Sequence, residues 1–259
     1  MQIINTKNEI KTNAPIQLSE LQIERGETQK DVNTTVLTEL VNIFDNKKPI
    51  KVLDLPCGEK LFLSYLKALF PSAELHGADI MVPKMIEDIT FHKMDLTREF
   101  TIPDDEKFDL VTSISGVMMF SNTKSFVENC SRRLKTGGTL VLTNDNSSTI
   151  IDRLSFLSIG RLRQFKLVFE DNEAMTQNIP IQELIRLLRN NGIEVNKITY
   201  TSFYPKDLKY LPFVLLMAPI QMLYLGLVKT TLPKPLIRQM FSLKQFLYKH
   251  YVIYGTKVK

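Results

Sequence analysis

The chain has 259 residues, 44% of them hydrophobic, which is enough for one well-filled domain with little left for a second. Its two cysteines (Cys57, Cys130) and three histidines (His76, His92, His250) are few and scattered, so the sequence predicts no metal site and no redox motif. The polar N-terminus carries no secretory signal, so we expect a protein of the reducing cytoplasm.

Charge is unevenly distributed along the chain. Residues 1–150 carry a net charge of −4 and residues 151–259 a net charge of +9, which together give the chain's +5. Such asymmetry predicts that the C-terminal part faces an anionic partner, either nucleic acid, a phosphorylated substrate or a membrane surface. A basic face that is merely solvated would show the same composition.

The predicted elements alternate between helix and strand over the first 145 residues. Residues 1–45 form an N-terminal helical segment, with helical spacing from Thr28 to Phe44. Strands follow at Lys51–Leu55, Ala73–Asp79, around His92 and at Lys107–Ser115. This alternation favours a parallel sheet with helices on both faces.

The rest of a predicted single domain 1–259 is organised around two further strands. A basic cover segment, 147–180, precedes a helix at Ile181–Asn190 and a sixth strand at Ile193–Phe203. A last strand is predicted at His250–Thr256.

A helical hydrophobic insertion, about 205–249, separates these last two strands. Its stretch LPFVLLMAPIQMLYLGLV (Leu211–Val228) contains no charged residue and is long enough to span a membrane. Both flanking strands must join one sheet, however, and the returning segment carries four cations, so a span is not expected. We expect a hairpin that lies on a membrane surface or roofs an apolar tunnel, with a buried cap or dimer interface as the alternative. Its second helix, Pro235–Tyr248, is predicted to be amphipathic and basic.

The region 46–146 contains the most informative motif. A short strand ends at Asp54, a tight turn follows through Pro56 and Gly58, and a helical pattern begins at Leu61. A strand, turn and helix in this order point backbone N–H groups and a helix dipole at a ligand. Asp79 closes the next strand twenty-one residues after Gly58, the spacing at which an acid meets ribose hydroxyls, so an adenosine-containing cofactor is predicted.

These segments resemble the class I S-adenosylmethionine-dependent methyltransferases. The strand end DLPCGEK (Asp54–Lys60) is similar to the family's D-x-G-x-G-x-G, and HGADI, FHKMDLT, KFDLVTSIS and RRLKTGGTLVLTND follow in family order. The resemblance covers about residues 28–145. Pro56 and Lys60 replace two of the three loop glycines, and Pro56 has no N–H to donate.

The resemblance implies a Rossmann-like α/β fold with a seven-stranded sheet whose last strand is antiparallel. It implies S-adenosyl-L-methionine as cofactor and S-adenosyl-L-homocysteine as product, with Asp79 on the ribose and Asp95 on the adenine amino group. The full set of expected cofactor-binding residues is Asp54, Leu55, Pro56, Gly58, Asp79, Ile80, Asp95, Leu96 and Ser113.

Few catalytic side chains are obligatory, because methyl transfer from a sulfonium depends mainly on positioning. An oxygen acceptor needs a base, and Asp145, which follows the fifth strand, is the first candidate. His250, at the start of the last strand, is the second. A capping role for Asp145 and an interfacial role for His250 are the structural alternatives.

We therefore expect a methyltransferase that acts at oxygen or carbon of a small or lipid-linked acceptor, peripherally attached to the inner face of the cell membrane. The fourth strand ends in Ser113-Ile114-Ser115-Gly116 rather than the Asn/Asp-Pro-Pro-aromatic signature of amino-methyltransferases. An RNA methyltransferase is the alternative that the basic C-terminal half suggests, although no RNA-binding module is visible and nucleic acid is not expected. A non-catalytic scaffold with the same fold is the second alternative.

Overall fold

The computed structural model describes residues 16–82, 88–103, 105–117, 122–166, 168 and 177–259. Residues 1–15 of the predicted N-terminal segment and residues 167 and 169–176 of the predicted cover segment lie outside the described part of the chain.

Seven strands form one mixed sheet, as predicted. They are β1 (Lys51–Asp54), β2 (Glu74–Asp79), β3 (Ile89–Lys93), β4 (Phe108–Ser113), β5 (Leu134–Asp145), β6 (Ile193–Thr201) and β7 (His250–Lys257). Their order is β3-β2-β1-β4-β5-β7-β6, and β7 is antiparallel to both of its neighbours. This is the Rossmann-like architecture that the motif order implied.

Eight helices accompany the sheet in the described residues. They are α1 (Val32–Ile43), α2 (Leu61–Leu69), α3 (Thr123–Arg133), α4 (Ile150–Ile159), α5 (Ile181–Asn190), α6 (Leu211–Leu227), α7 (Lys234–Met240) and α8 (Lys244–Leu247). Two 3₁₀ turns lie at Leu18–Glu20 and Pro205–Tyr210.

Helices cover both faces of the sheet because alternate residues of each strand are buried on opposite sides. Val52 of β1 packs with α1 and α2, whereas Leu53 packs with α3 and α5 on the other side. Burial of both faces keeps the parallel strands rigid. Their carboxyl ends therefore form a fixed edge on which a ligand site can be built.

The glycine pair Gly137-Gly138 lies in a bulge within the fifth strand. Strand β5 already begins at Leu134, and its register with β4 shifts between Phe108 and Leu110. Gly137 has φ +83°, and a Cβ on Gly138 would lie 2.9 Å from the carbonyl oxygen of Lys135. The extra residues are therefore accommodated within the strand.

The insertion contains three helices, and the predicted second helix is wrong in extent. Helix α7 ends at Met240, and α8 begins at Lys244. Met240 is buried in the main core, whereas Phe246 is buried in a separate cluster against α4 and α6. Positions six residues apart in a straight helix point about 120° apart, so the chain turns between them to bury both side chains.

Helix α6 packs against the protein along a narrow stripe only. Val214 and Ala218 are its buried residues, and they contact Ile150 and Phe246. Among the described residues, one helical stretch, Pro205–Leu227, is long and apolar enough to cross a membrane by length and composition, and 11% of its most apolar window is buried. Most of α6 therefore faces away from the protein.

Candidate active site

A cavity of about 680 Å³ lies at the carboxyl edge of β1, β2 and β4. Seven of the predicted cofactor residues line it, namely Asp54, Pro56, Gly58, Asp79, Ile80, Asp95 and Leu96. Its volume lies within the range of small-molecule and cofactor sites. The edge of the sheet thus brings together residues that are up to 42 positions apart in the sequence.

Asp79 holds the loop between β1 and α2 in place. Its Oδ2 accepts a hydrogen bond from the N–H of Gly58 at 3.0 Å, and its Oδ1 accepts one from the N–H of Met81 at 3.0 Å. The N–H of Cys57 donates to the carbonyl oxygen of Ala78 at 3.0 Å. Asp79 therefore fixes the loop as well as facing the cavity.

Asp54 ends β1 and is almost completely buried beside the cavity. Its Oδ1 accepts a hydrogen bond of 2.6 Å from the hydroxyl of Thr112. Burial raises the pKa of this carboxyl to about 7, because the charged form loses solvation, and the nearby charge of Asp79 adds to the effect. The negative charge at the floor of the cavity therefore depends on pH in the neutral range.

Asp95 follows β3 and is more exposed than Asp54. Its Oδ1 accepts hydrogen bonds from the hydroxyl and the N–H of Thr97, at 2.7 and 3.0 Å. The Thr97 hydroxyl and amide lower the pKa of this carboxyl, and Arg98 adds a smaller effect of the same sign. Asp95 is thus ionised at neutral pH and presents an acceptor at the cavity wall.

Two expected cofactor residues, Leu55 and Ser113, do not line the cavity. The side chain of Leu55 is buried in the main core with Leu53, and its N–H donates to the carbonyl oxygen of Thr112. Ser113 is also fully buried, with its Oγ beside Gly116. Both side chains are thus buried away from the cavity lining, and their part in cofactor binding stays a prediction.

The sequence reasoning missed a wall of the cavity that the chain before α1 supplies. Arg25, Gly26, Glu27 and Thr28 line the cavity, as do Thr97 and Ser115. The turn-forming sequence around Gly26, which has φ +59°, was the available signal. Nothing in it indicated that this turn folds over the edge of the sheet.

The two departures from the family's glycine pattern do not block the cavity. Lys60 adopts φ +62°, the left-handed conformation that glycine favours, but its side chain is buried and its Nζ lies 5.3 Å from the ring centre of Phe91. Pro56 packs against Gly116, where a Cβ would lie 2.1 Å from the proline Cδ. The cation of Lys60 is therefore directed away from the cavity lining.

Asp145 and His250, the two predicted catalytic residues, form a hydrogen-bonded pair. Nδ1 of His250 lies 2.9 Å from Oδ1 of Asp145, and its Nε2 lies 3.4 Å from the hydroxyl of Ser115. Ser115 Oγ in turn lies 2.5 Å from Oγ1 of Thr28. Because Ser115 and Thr28 line the cavity, a chain of polar groups connects it to the buried pair.

The charges of this pair follow from its surroundings. Burial of Asp145 acts to raise its pKa, but the hydrogen bond and charge of His250 outweigh it, so the pKa lies below its usual range. Burial lowers the pKa of His250, even though Asp145 acts in the opposite direction. At neutral pH a neutral imidazole therefore donates Nδ1–H to an ionised carboxylate and presents the Nε2 lone pair to Ser115.

The cavity thiol is not a nucleophile. Cys57 lines the cavity but is buried, and burial raises the pKa of its thiol well above the ordinary value, with Asp54 adding to the effect.

The basic cover segment (147–180) has a larger structural role than its sequence predicted. The guanidinium of Arg163 bonds Asp152 and the carbonyl oxygens of Asn146 and Lys249.

Residues 28–198 match the family model described as a methyltransferase domain. This chain belongs to that family. The methyltransferase fold is also found in solved structures that share few residues with the chain. A comparison with curated protein sequences finds no match.

Three such structures illustrate the likeness. A SAM-dependent methyltransferase from Archaeoglobus fulgidus is 17% identical, with 87% of this chain and 94% of that chain covered and a TM-score of 0.53. The YcgJ protein from Bacillus subtilis is 15% identical, with 87% and 99% covered and a TM-score of 0.53. Magnesium protoporphyrin IX methyltransferase from Synechocystis, solved with bound SAH, is 12% identical, with 88% and 82% covered and a TM-score of 0.51.

The protein is thus a class I enzyme of this family, and S-adenosyl-L-methionine is its cofactor. The cavity fits that molecule, since Asp79 and Asp95 offer carboxylate acceptors for hydroxyl and amino groups, and Asp54 offers a negative charge for a cation. Bound there, the cofactor supplies a methyl group on a positively charged sulfur. Enzymatic activity is accordingly favoured over a scaffold role.

Proposed function

We propose that the enzyme methylates an oxygen, or an acidic carbon, of a small or amphiphilic acceptor, and that His250 is the base. The observation that carries this proposal is the direction of its Nε2, which faces the Ser115 hydroxyl at 3.4 Å on the cavity wall. Asp145 binds the opposite ring nitrogen and fixes the tautomer. The same division of roles operates in hydrolytic triads.

The proton path follows from the hydrogen bonds. Ser115 passes its hydroxyl proton to Nε2 of His250 and takes the proton of the acceptor hydroxyl, directly or through Thr28. Asp145 stabilises the imidazolium that forms. The acceptor oxygen gains the methyl group as the methyl–sulfur bond breaks and a neutral thioether leaves, and the acceptor's proton ends on His250, so the charge balances. His250 itself is fully buried, which is why Ser115 stands between it and the acceptor.

The amphiphilic nature of the acceptor is supported by an exposed apolar face on α4 and α6. We define this apolar face by large side chains that are each more than half exposed, namely Phe156, Leu157 and Ile159 of α4 and Leu215, Leu216, Ile220, Met222, Leu223, Tyr224 and Leu227 of α6. Soluble monomers rarely leave so much contiguous helix surface apolar. None of the described residues of the insertion lines the cavity, so a tunnel roof has no support there.

Charge supports an anionic membrane surface as the partner of this face. From Leu208 to Lys259 the chain has eight lysines and arginines and no acidic residue. Lys234, Arg238 and Lys244 are exposed on the helices after α6. Cations beside an apolar helix add about 1 kcal/mol each near an anionic leaflet. We therefore propose a cytoplasmic enzyme held peripherally at the inner face of the membrane, with a lipid-linked or otherwise amphiphilic acceptor.

The two ends of the insertion, which we call its root, lie close to the hydrogen-bonded pair Asp145 and His250. Lys249, which precedes His250, pairs with the buried Asp207 at 3.0 Å, and Ser202 donates to the carbonyl oxygen of Lys30 at 2.6 Å. The first turn of the insertion is therefore tied to Lys249, and the residue Ser202 just before the insertion is tied to the chain that continues from Thr28. A membrane-bound acceptor would reach the cavity beside this root.

The acceptor class can be tested without knowing the acceptor. Extracts of the source organism, divided into organic and aqueous phases and an RNA fraction, would be incubated with the enzyme and cofactor carrying a labelled methyl group. We expect label in the organic phase. Label in RNA would favour the alternative that the basic C-terminal half suggests and would overturn this proposal.

The base can be tested with the same assay. We expect His250→Gln, Asp145→Asn and Ser115→Ala each to lower kcat at least tenfold. The affinity of each variant for S-adenosyl-L-homocysteine should stay within about twofold of that of the unmodified enzyme. Ser115→Ala covers the case in which the buried variants fail to fold. Full activity of Ser115→Ala, together with an unchanged pH profile, would contradict the proton path.

Membrane attachment has its own test. Sedimentation with phosphatidylcholine vesicles, with and without anionic lipid, should show binding that needs the anionic lipid and falls with salt. Replacing Lys234, Arg238 and Lys244 together by Gln should release the protein. The matched control replaces three exposed cations elsewhere, Lys47, Lys48 and Lys124, and should still bind. Binding that ignores lipid charge would refute the electrostatic part.

A further inference from the structure

A second polar cluster lies on β2, β3 and the segment before β4, outside the lining of the cofactor cavity. His76 of β2, His92 of β3 and Glu106, just before β4, converge so that one ligand atom from each lies within 4.8 Å of the others. Nδ1 of His76 is 2.9 Å from Nε2 of His92 and 3.8 Å from Oε1 of Glu106. The histidines are scattered along the sequence, but parallel pairing of β2 and β3 brings two of them together and stacks their rings at 5.2 Å.

One histidine of the cluster is oriented by a carboxylate. Nε2 of His76 lies 2.9 Å from Oε1 of Glu74, and an ionised carboxylate only accepts hydrogen bonds. Nε2 therefore carries the hydrogen, and Nδ1 presents its lone pair towards His92 and Glu106. Metal-binding histidines are held by outer carboxylates in this way.

We propose that His76 Nδ1, His92 Nε2 and a Glu106 oxygen bind a divalent transition metal of the zinc class. Ligands about 2.0–2.1 Å from a tetrahedral ion lie about 3.3 Å from one another. The distances of 2.9 and 3.8 Å from His76 Nδ1 bracket this value, and the third pair of ligand atoms lies within 4.8 Å, so small side-chain movements complete the geometry. His92 and Glu106 are half-buried, which leaves a fourth position for water. The hydrogen of His92 moves from Nε2 to Nδ1, and the ring stays neutral.

Lys51 provides a competing cation. Its Nζ lies 2.9 Å from Oε1 of Glu106 and 2.8 Å from Oε1 of Glu74. The ammonium neutralises the two carboxylates and must give up part of its contact with Glu106 when a metal binds. Removing this charge therefore strengthens metal binding, whereas a purely structural ion-pair cluster would simply be weakened.

A metal bound at this site would stabilise the edge of the sheet. Among the described strands β3 is the outermost on its side and pairs with β2 alone, and the chain that leaves it carries Asp95 to the cofactor cavity. A metal that joins β2, β3 and the segment before β4 would hold this strand in register. The proposal is independent of the acceptor and of the membrane surface.

Metal binding would be measured on protein without an affinity tag, after dialysis against a chelator. We expect one equivalent of Co²⁺ to give the visible absorption of a low-coordinate nitrogen and oxygen site, and Zn²⁺ to displace it and raise the melting temperature. His92→Asn and Glu106→Gln should each weaken binding at least tenfold. Both residues are half-buried, so these variants should fold, and cofactor affinity provides the check.

A control variant and a variant that should bind Co²⁺ more tightly make the test specific to the cluster. Glu99→Gln, which removes an exposed carboxylate outside the cluster, should leave Co²⁺ affinity unchanged. Lys51→Met should tighten it at least threefold. A missing cobalt spectrum, or a spectrum that survives both ligand substitutions, would overturn the proposal, and neither result would affect the proposed methyl transfer.

Discussion

At the scale of single residues, three carboxylates at the cofactor cavity differ through their partners. Asp79 binds two backbone N–H groups, Asp95 binds a threonine, and Asp54 is buried with one hydroxyl donor. Burial without a cation raises the pKa of Asp54, whereas hydrogen bonds lower that of Asp95. Asp79 therefore positions the loop, Asp54 supplies a pH-dependent charge and Asp95 supplies a fixed hydrogen-bond acceptor.

Replacing Asp79 should affect both the cofactor and the loop. Charge-assisted hydrogen bonds contribute about 1.5–3 kcal/mol each, so Asp79→Ala should weaken S-adenosyl-L-homocysteine binding at least tenfold in calorimetric titration. It should also lower the melting temperature, since Gly58 and Met81 lose their acceptor. Asp105→Ala, which removes an exposed acid outside the cavity lining, is the control. Unaltered affinity of Asp79→Ala would contradict the role assigned to this residue.

Asp54 should make cofactor affinity depend on pH. Because folding raises the pKa of Asp54 to about 7, this residue stabilises the folded state fully only below its pKa in the unfolded chain, about 3.9. The stabilisation is lost as pH rises through about 7. A bound cation favours the ionised form, so S-adenosyl-L-methionine should bind more tightly at pH 8 than at pH 6, by up to about tenfold. Asp54→Asn should remove this difference. Equal pH dependence in both proteins would show that another group is responsible.

At the scale of elements, two loops at the sheet edge support each other. The β1–α2 loop carries Pro56, and the turn after β4 carries Gly116 directly against it. Gly77 of β2 has a similar role, because a Cβ there would lie 2.9 Å from Sγ of Cys57. Small residues thus let the strands and the cofactor loop approach closely. This close approach explains why Pro56 is tolerated where the family has glycine.

Gly116→Ala should therefore displace the cofactor loop. The added Cβ would lie 2.1 Å from Cδ of Pro56, which no rotamer change can relieve, because the ring is rigid. We expect a cost of about 1–3 kcal/mol in unfolding free energy and at least tenfold weaker cofactor binding. Gly226→Ala in α6, where a Cβ meets nothing within 4 Å, is the matched control and should be neutral or stabilising. Denaturant titration and calorimetry check both variants.

At the scale of the whole molecule, the apolar face is the feature that burial inside the protein does not explain. A core helix buries most of its apolar residues, whereas α6 buries a stripe of two. Arg153 of α4 donates a 2.7 Å hydrogen bond to Gln221 of α6, and its guanidinium lies 4.4 Å from the ring centre of Phe246 in α8. The insertion is therefore fixed to the body of the enzyme and presents its apolar side outward.

Polar substitutions on the apolar face should separate membrane binding from folding. Leu216→Gln with Leu223→Gln changes side chains that are 66% and 67% exposed, so the melting temperature and cofactor affinity should stay nearly constant. Vesicle binding should fall at least tenfold, because each buried leucine contributes about 1.5–3 kcal/mol. Val214→Gln, at a buried position of the same helix, should instead lower the melting temperature. Full vesicle binding by the double variant would exclude α6 as the contact.

The sequence by itself determined the elements whose signals are local. Alternating hydrophobic periods located the strands and the main helices, and acids at strand ends located Asp54, Asp79 and Asp95, because parallel strands present their carboxyl ends at one edge. The bounds of α5 and the start of β7 agree with prediction for the same reason. These features depend on neighbours in the chain and on a fold with fixed connections.

Only the tertiary structure decided the contacts between distant segments. It turned Leu55 and Ser113 into the core, folded Thr28 over the cavity and divided the second helix of the insertion between two hydrophobic clusters. It also brought Ser115 to His250, 135 positions away, and His76 to His92 across a strand pair. Such contacts follow from sheet register and from competition for burial, which no local pattern records, because their free energy depends on the whole packed core.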